Sequence, residues 1–167
     1  ISGVDVMAAA GLTHGGFYGH FQSKEALARE ASERAFKEVG TRWRERITQG
    51  DDKAAARQAL IKPYLSVYSR DNPGESCPVV AFAGDMCHEH ADSSLREPFM
   101  AGLNRLLDAL GELMDSDDAA EKRQQALVQY SLMVGALTLA RATRGDALSE
   151  EILEAAQNFL TESPAPD

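Results

Sequence analysis

Apolar positions recur at three- and four-residue steps along most of the chain. No segment alternates with a period of two in β-branched residues, so the pattern predicts an all-α fold. Ser23 is placed to cap a helix running to about residue 49. Its stripe is Leu27, Ala31, Ala35, Phe36, Val39, Trp43 and Ile47, and Gly50-Asp51-Asp52 breaks it. Asp52 starts another helix to about Ser69, with Leu60, Ile61, Tyr64, Leu65 and Tyr68 on one side and a kink expected at Pro63. Residues 70–76 read as a loop. Pro78 fits a first helical position, which makes Cys77 the N-cap of a helix carrying Val79, Val80, Phe82, Ala83, Met86 and Cys87. Ser93 or Ser94 caps the next, with Pro98 in its first turn and Phe99, Leu103, Leu106, Leu107, Leu110 and Met114 as its buried side. A break at residues 115–118 precedes the longest expected helix, 119–144. After a turn at Gly145-Asp146, Ser149 opens the last helix, with Ile152, Ala155, Ala156, Phe159 and Leu160 as its apolar face.

Residues 131–140 of the long helix are apolar nearly all round, so more than one side must be covered. In a domain this small, a second chain is the expected cover. Gly135, Ala136 and Ala140 would let a partner helix approach, and the last two helices are expected to form a four-helix bundle with their twins. The interface residues expected are Leu127, Val134, Leu137, Ile152 and Phe159. A single-chain core with the run simply central is the alternative.

The amino end has a different grammar. Residues 2–10 look like a short helix with Ser2 as cap. Gly11 is a left-handed stop with Leu12 folding back, and Thr13 is a fresh N-cap for a second short helix to about Phe21. A three-residue turn between two short helices is the helix-turn-helix signature. On the second helix Phe17 and Phe21 share one side, while His14 and Tyr18 share another. Gly15, Gly16 and Gly19 thin it, each at a cost of about 1 kcal/mol relative to Ala in a helix. A backbone that must lie close against another surface, such as a DNA major groove, accounts for that cost. A small aromatic-anchored packing helix with tolerated glycines is the structural alternative.

The stretch Gly11-Leu-Thr-His-Gly-Gly-Phe-Tyr-Gly-His-Phe-Gln-Ser-Lys-Glu-Ala-Leu27 closely resembles the DNA-binding signature of the TetR family of bacterial transcriptional repressors. The resemblance covers about 30 residues, and the helical layout downstream agrees with it. It implies a helix-turn-helix unit followed by a helical ligand-binding and dimerisation domain. By resemblance, Thr13, His14, Gly15, Tyr18 and His20 fall where the family touches bases and phosphates, and Lys24 falls where it grips the backbone. Gly16 and Gly19 stand where the family often has larger or polar residues, so direct base readout rests mainly on His14 and Tyr18. The chain opens at Ile1, inside what would be the family's second helix. The first helix and its basic arm are absent from it, and this stretch alone is expected to bind DNA poorly.

Charge sharpens the division. Residues 1–46 hold seven Lys or Arg and six Asp or Glu, for +1, while residues 47–167 hold ten and twenty, for −10. One end can then face a polyanion while the acidic remainder stays away from it. The expected units are residues 1–46, a truncated helix-turn-helix domain with its connecting helix; 47–162, a regulatory and dimerisation domain; and 163–167, a disordered tail. The longest nearly apolar run, residues 132–140, is far short of the ~20 residues a membrane span needs. Two cysteines point to a reducing compartment, so a cytoplasmic protein is expected.

The middle helices hold more aromatic and soft side chains than an aliphatic core requires: Tyr64, Tyr68, Phe82, Met86, Phe99, Leu103, Tyr130 and Met133. Ordinary core is the simplest account. As a set, with Asp85 and His88 as polar handles, they could line a cavity. The resemblance implies that a small, mostly apolar effector binds there and alters the spacing of the DNA-reading helices. Cys77 at a helix N-terminus is a candidate for reaction with oxidants or electrophiles. Cys87 lies about 15 Å further along a straight helix and cannot pair with it within one chain. Cys87, His88 and His90 are too close in sequence for a common tetrahedral site on a regular helix, so no metal is expected. No catalytic set or cofactor motif is present, and the chain does not read as an enzyme. The expected partners are a palindromic double-stranded DNA operator, a small-molecule effector and a second copy of the chain. The alternatives are a helical dimerisation or adapter protein without DNA binding, or a cysteine-based sensor of the same family.

Overall fold

The computed structural model describes residues 21–162. Among them are seven α-helices and no strand: α1 (Lys24–Thr48), α2 (Lys53–Tyr64), α3 (Val67–Asp71), α4 (Pro78–Met86), α5 (Arg96–Gly111), α6 (Ala119–Ala142) and α7 (Ala147–Glu162). A 3-10 turn, Pro73–Glu75, joins α3 to α4. No helix among the described residues is long and apolar enough to cross a membrane.

Each boundary has a local cause. The Ser23 hydroxyl accepts from the Ala26 amide at 3.0 Å, and the Asp52 carboxylate accepts from Ala55 at 2.7 Å. The kink expected at Pro63 is instead a break. α2 ends one residue later, Ser66 caps α3, and the Ser66 and Ser69 hydroxyls both donate to the Pro63 carbonyl at 2.7 Å. The last carbonyls of a helix lack amide partners, and here neighbouring hydroxyls take that role. Pro78 does open α4 with Cys77 as its N-cap, as its fixed φ predicts. Ser149 is not the start of the last helix. The Asp146 carboxylate accepts from the Leu148 amide at 2.9 Å, after a turn through Gly145 at φ 99°.

α1 belongs to the core along its second half, so the unit boundary expected at 46/47 falls inside one continuous helix. The stripe that packs is Ser32, Phe36, Val39 and Trp43, with Ser32 buried and Ala31 exposed. Gly102 on α5 lets the two helices meet, because a Cβ there would lie 2.2 Å from the Phe36 ring. Phe36 in turn meets Phe99 edge-on at 5.8 Å. Leu60, Ile61, Leu110, Met133, Leu137 and Ala140 are fully enclosed where α2, α5 and α6 converge.

α3 ties this body to the α6–α7 turn. The buried Arg70 guanidinium grips Asp71 with two hydrogen bonds and donates to the Ser149 hydroxyl at 3.0 Å; that hydroxyl donates to the Ala140 carbonyl at 2.7 Å. Arg141 on α6 donates back to the Ser69 carbonyl at 2.9 Å.

Candidate functional site

Thr13, His14, Gly15, Tyr18 and His20, expected to face DNA, lie outside the described residues. Lys24 is exposed on the first turn of α1. That turn is fastened to the start of α5, where the Ser94 hydroxyl donates to the Glu25 carboxylate and Arg29 pairs with Glu97 at 3.6 Å.

The same helix reaches a cavity of about 360 Å³ with its carboxyl-terminal half. Val39, Trp43, Pro63 and Tyr64 form its apolar wall, Arg42 and Arg46 one flank, and Ser66, Tyr68, Ser69, Glu75, Ser76 and Cys77 the rest. Of the eight residues expected to line a pocket, Tyr64 and Tyr68 line this cavity. Tyr68 is an exposed rim residue whose hydroxyl donates to the Glu75 carboxylate. Tyr130 stands one layer behind, edge-on to Trp43 at 5.9 Å and to Tyr64 at 6.3 Å. Met133 is fully enclosed in the core and Phe99 is taken up by Phe36, while Phe82, Met86 and Leu103 are half-buried elsewhere. Periodicity marks an apolar side chain as inward-facing without separating close packing from cavity wall.

Sequence reasoning missed Arg42, Trp43 and Arg46, having read α1 as a connecting rod. A signal was present. Arg46 has Arg42 four residues before it and no acidic residue three or four away on either side, an unfavourable spacing on an isolated helix.

The polar chemistry is concentrated around Cys77. This thiol is buried, with its Sγ 3.2 Å from the Tyr130 hydroxyl. The Tyr64 hydroxyl is buried without a hydrogen-bond partner. Burial, then the neighbouring Cys77, pushes both phenols well above the ordinary tyrosine range. Burial, reinforced by the like charge of Arg42, pulls the Arg46 guanidinium below its usual value. Cys87 is exposed just past the end of α4. Among the described residues, no three His, Cys, Asp or Glu side chains gather as a metal would require.

The face expected to meet a second chain is divided. Leu137 is fully buried within its own protomer and cannot be a contact, because it points toward the core rather than the outer side of α6. Leu127 and Phe159 are exposed, and Val134 and Ile152 half-buried. Val128 and Leu139, not singled out beforehand, are 65% and 56% exposed, more than their apolar character favours. Between α6 and α7 runs an apolar groove whose floor includes Gly135, Ala136, Ala155 and Ala156.

Residues 4–41 match the family described as bacterial regulatory proteins, tetR family. No curated protein matches the sequence. Among solved structures, the crystal structure of E. coli NemR in its reduced form is similar, with a TM-score of 0.80 and 22% identity over 99% of this chain and 88% of that one.

Proposed function

We propose that this chain, whose residues 4–41 match the tetR family of bacterial regulatory proteins, is a ligand-responsive transcriptional repressor of that family. It acts as a homodimer on a palindromic operator, and a small, mostly apolar effector releases it. The observation that carries this reading is the family match over residues 4–41, which runs without a break into α1. α1 places Lys24 at one end and the cavity wall, Val39 to Arg46, at the other. A ligand that shifts α1 against α2 therefore tilts whatever its first turn holds. The α6–α7 groove, rimmed by Leu139 and Phe159, supplies the dimer face. Two heads on such a dimer are expected about 34–36 Å apart, one turn of DNA.

Salt dependence tests the DNA role against an adapter role. Binding of duplex DNA by the protein with its whole helix-turn-helix unit should weaken steeply and linearly on a log–log plot as salt rises. Binding that is absent, or flat with salt, would favour the adapter.

A second reading is favoured by the position of Cys77 in the cavity wall, 3.2 Å from a phenol hydroxyl. Oxidation or alkylation of that thiol would enlarge it at the place an effector would occupy. Iodoacetamide labelling of the native protein decides. Modification of Cys77 at a rate comparable with exposed Cys87 supports a thiol sensor, and protection of Cys77 under conditions that label Cys87 excludes it.

A further inference from the structure

Exposure falls from the rim of the cavity to its back. Tyr68 and Glu75 stand exposed at the rim, while Trp43, Tyr64 and Cys77 are 2%, 5% and 3% exposed. An effector reaches those three only if part of the wall moves. Most of the wall is fixed, since Val39, Trp43, Tyr64 and Cys77 all belong to the core cluster. The exception is the connection between α3 and α4. No residue from 71 to 76 is buried, and a Cβ on Gly74 would meet nothing within 4 Å. A segment with few buried contacts is the part of a fold that opens first. Glu75 fastens it. Arg42 on α1 donates to the Glu75 backbone carbonyl at 3.0 Å, and the Tyr68 hydroxyl on α3 donates to the Glu75 carboxylate. One exposed residue thus joins two helices that both line the cavity. The hydrogen bonds of Asn72 to the Tyr68 carbonyl, of the Glu75 amide to Asn72 and of the Ser76 amide to Pro73 run within the segment or back to α3.

We propose that Glu75 is the latch of this cavity: the bonds from Arg42 and Tyr68 hold residues 72–76 closed in front of Cys77, and their release opens the cavity to its occupant. The inference rests on the reading of the chain as an effector-responsive regulator and assigns the step that admits the effector. Both bonds lie at the surface, where water competes for every partner, so each adds little and the closed state is only modestly favoured. Arg42 has a carboxylate at hand when the latch lets go, since Glu38, itself paired with Arg34, stands one turn before it on α1. Opening therefore frees the flank of α1 from the α3–α4 connection, on the helix that carries Lys24 at its other end.

The sequence has two cysteines, so Cys87→Ser leaves Cys77 as the one thiol. Its reaction with dithiobis(nitrobenzoate) is timed in rising urea below the unfolding transition. Local opening shows as a rate that climbs with urea much less steeply than global unfolding does. Tyr68→Phe and Arg42→Met each remove one bond to Glu75. Each should speed labelling about threefold or more at that shallow slope, the change expected for one lost hydrogen bond. Urea midpoints by circular dichroism identify any loss of global stability, which would speed labelling only with the steep slope. The proposal is overturned if Cys77 reacts only with the slope of global unfolding, or if both variants label at the wild-type rate. A DNA titration of the protein carrying its whole helix-turn-helix unit keeps the two levels apart. Salt-sensitive DNA binding with labelling unmoved removes the latch and leaves the regulator reading intact. Faster labelling without DNA binding removes the regulator reading and keeps the latch.

Discussion

At the scale of single residues, the Tyr64 and Tyr130 hydroxyls make stability depend on alkaline pH. Both phenols keep their protons in the fold well above the value near 10 at which the unfolded chain releases them, chiefly because burial disfavours the anion. The folded state then binds more protons, so their contribution is complete below about pH 10 and is lost as pH climbs beyond it. Tyr64→Phe removes one of the two phenols and breaks no hydrogen bond of normal geometry, the hydroxyl lying beside Cys77 and Tyr130. At pH 7 it should therefore change stability little, within about 1 kcal/mol. In a circular-dichroism pH titration its alkaline unfolding midpoint should move upward, and an unmoved midpoint would refute the account. The position of Cys77 was legible because Pro78 fixes its own φ and so marks a helix start. The place of Arg46 on the flank of the cavity was not, because it depends on α2 and the α3–α4 connection closing over it.

At the scale of elements, sequence located the helices well and their ends less well. The Ser149-Glu-Glu run has the local chemistry of a helix start, but Asp146 does the capping and Ser149 is drawn inside by a tertiary demand. It alone bridges Arg70 on α3 and the Ala140 carbonyl on α6. Ser149→Ala leaves both groups buried and short of a partner, which is expected to cost about 1–3 kcal/mol. Urea unfolding should show a lowered midpoint at unchanged slope, and a wild-type midpoint would mean that the bridge is dispensable. Pro63 teaches the same lesson. A kink and a break look identical in sequence, and the hydroxyls of Ser66 and Ser69, which make the break tolerable, become relevant only once the chain has turned. For residues 11–20 spacing left a helix-turn-helix and a packing helix both open, and the resemblance decided between them; the family match covers that stretch, whose structure lies outside the described residues.

At the scale of the molecule, α1 spans from Lys24 to the cavity wall, and α6 with α7 presents apolar surface outward. An all-apolar run declares that it needs cover on several sides without saying which residue faces which, and so Leu137 was assigned to the wrong side. Leu139, exposed on the rim of the groove, gives the sharper test. Leu139→Glu should yield a monomer by sedimentation equilibrium with unchanged helical content, because a carboxylate is costly in an apolar interface and free in water. A dimer as tight as wild type would place the interface elsewhere. The central claim, a two-fold DNA reader, is tested most directly by selecting bound duplexes from random sequence with the protein carrying its whole helix-turn-helix unit. The account predicts enrichment of an inverted repeat whose half-sites lie about one helical turn, 34–36 Å, or a multiple of it apart. Enrichment of nothing, or of an unrepeated single site, would contradict it.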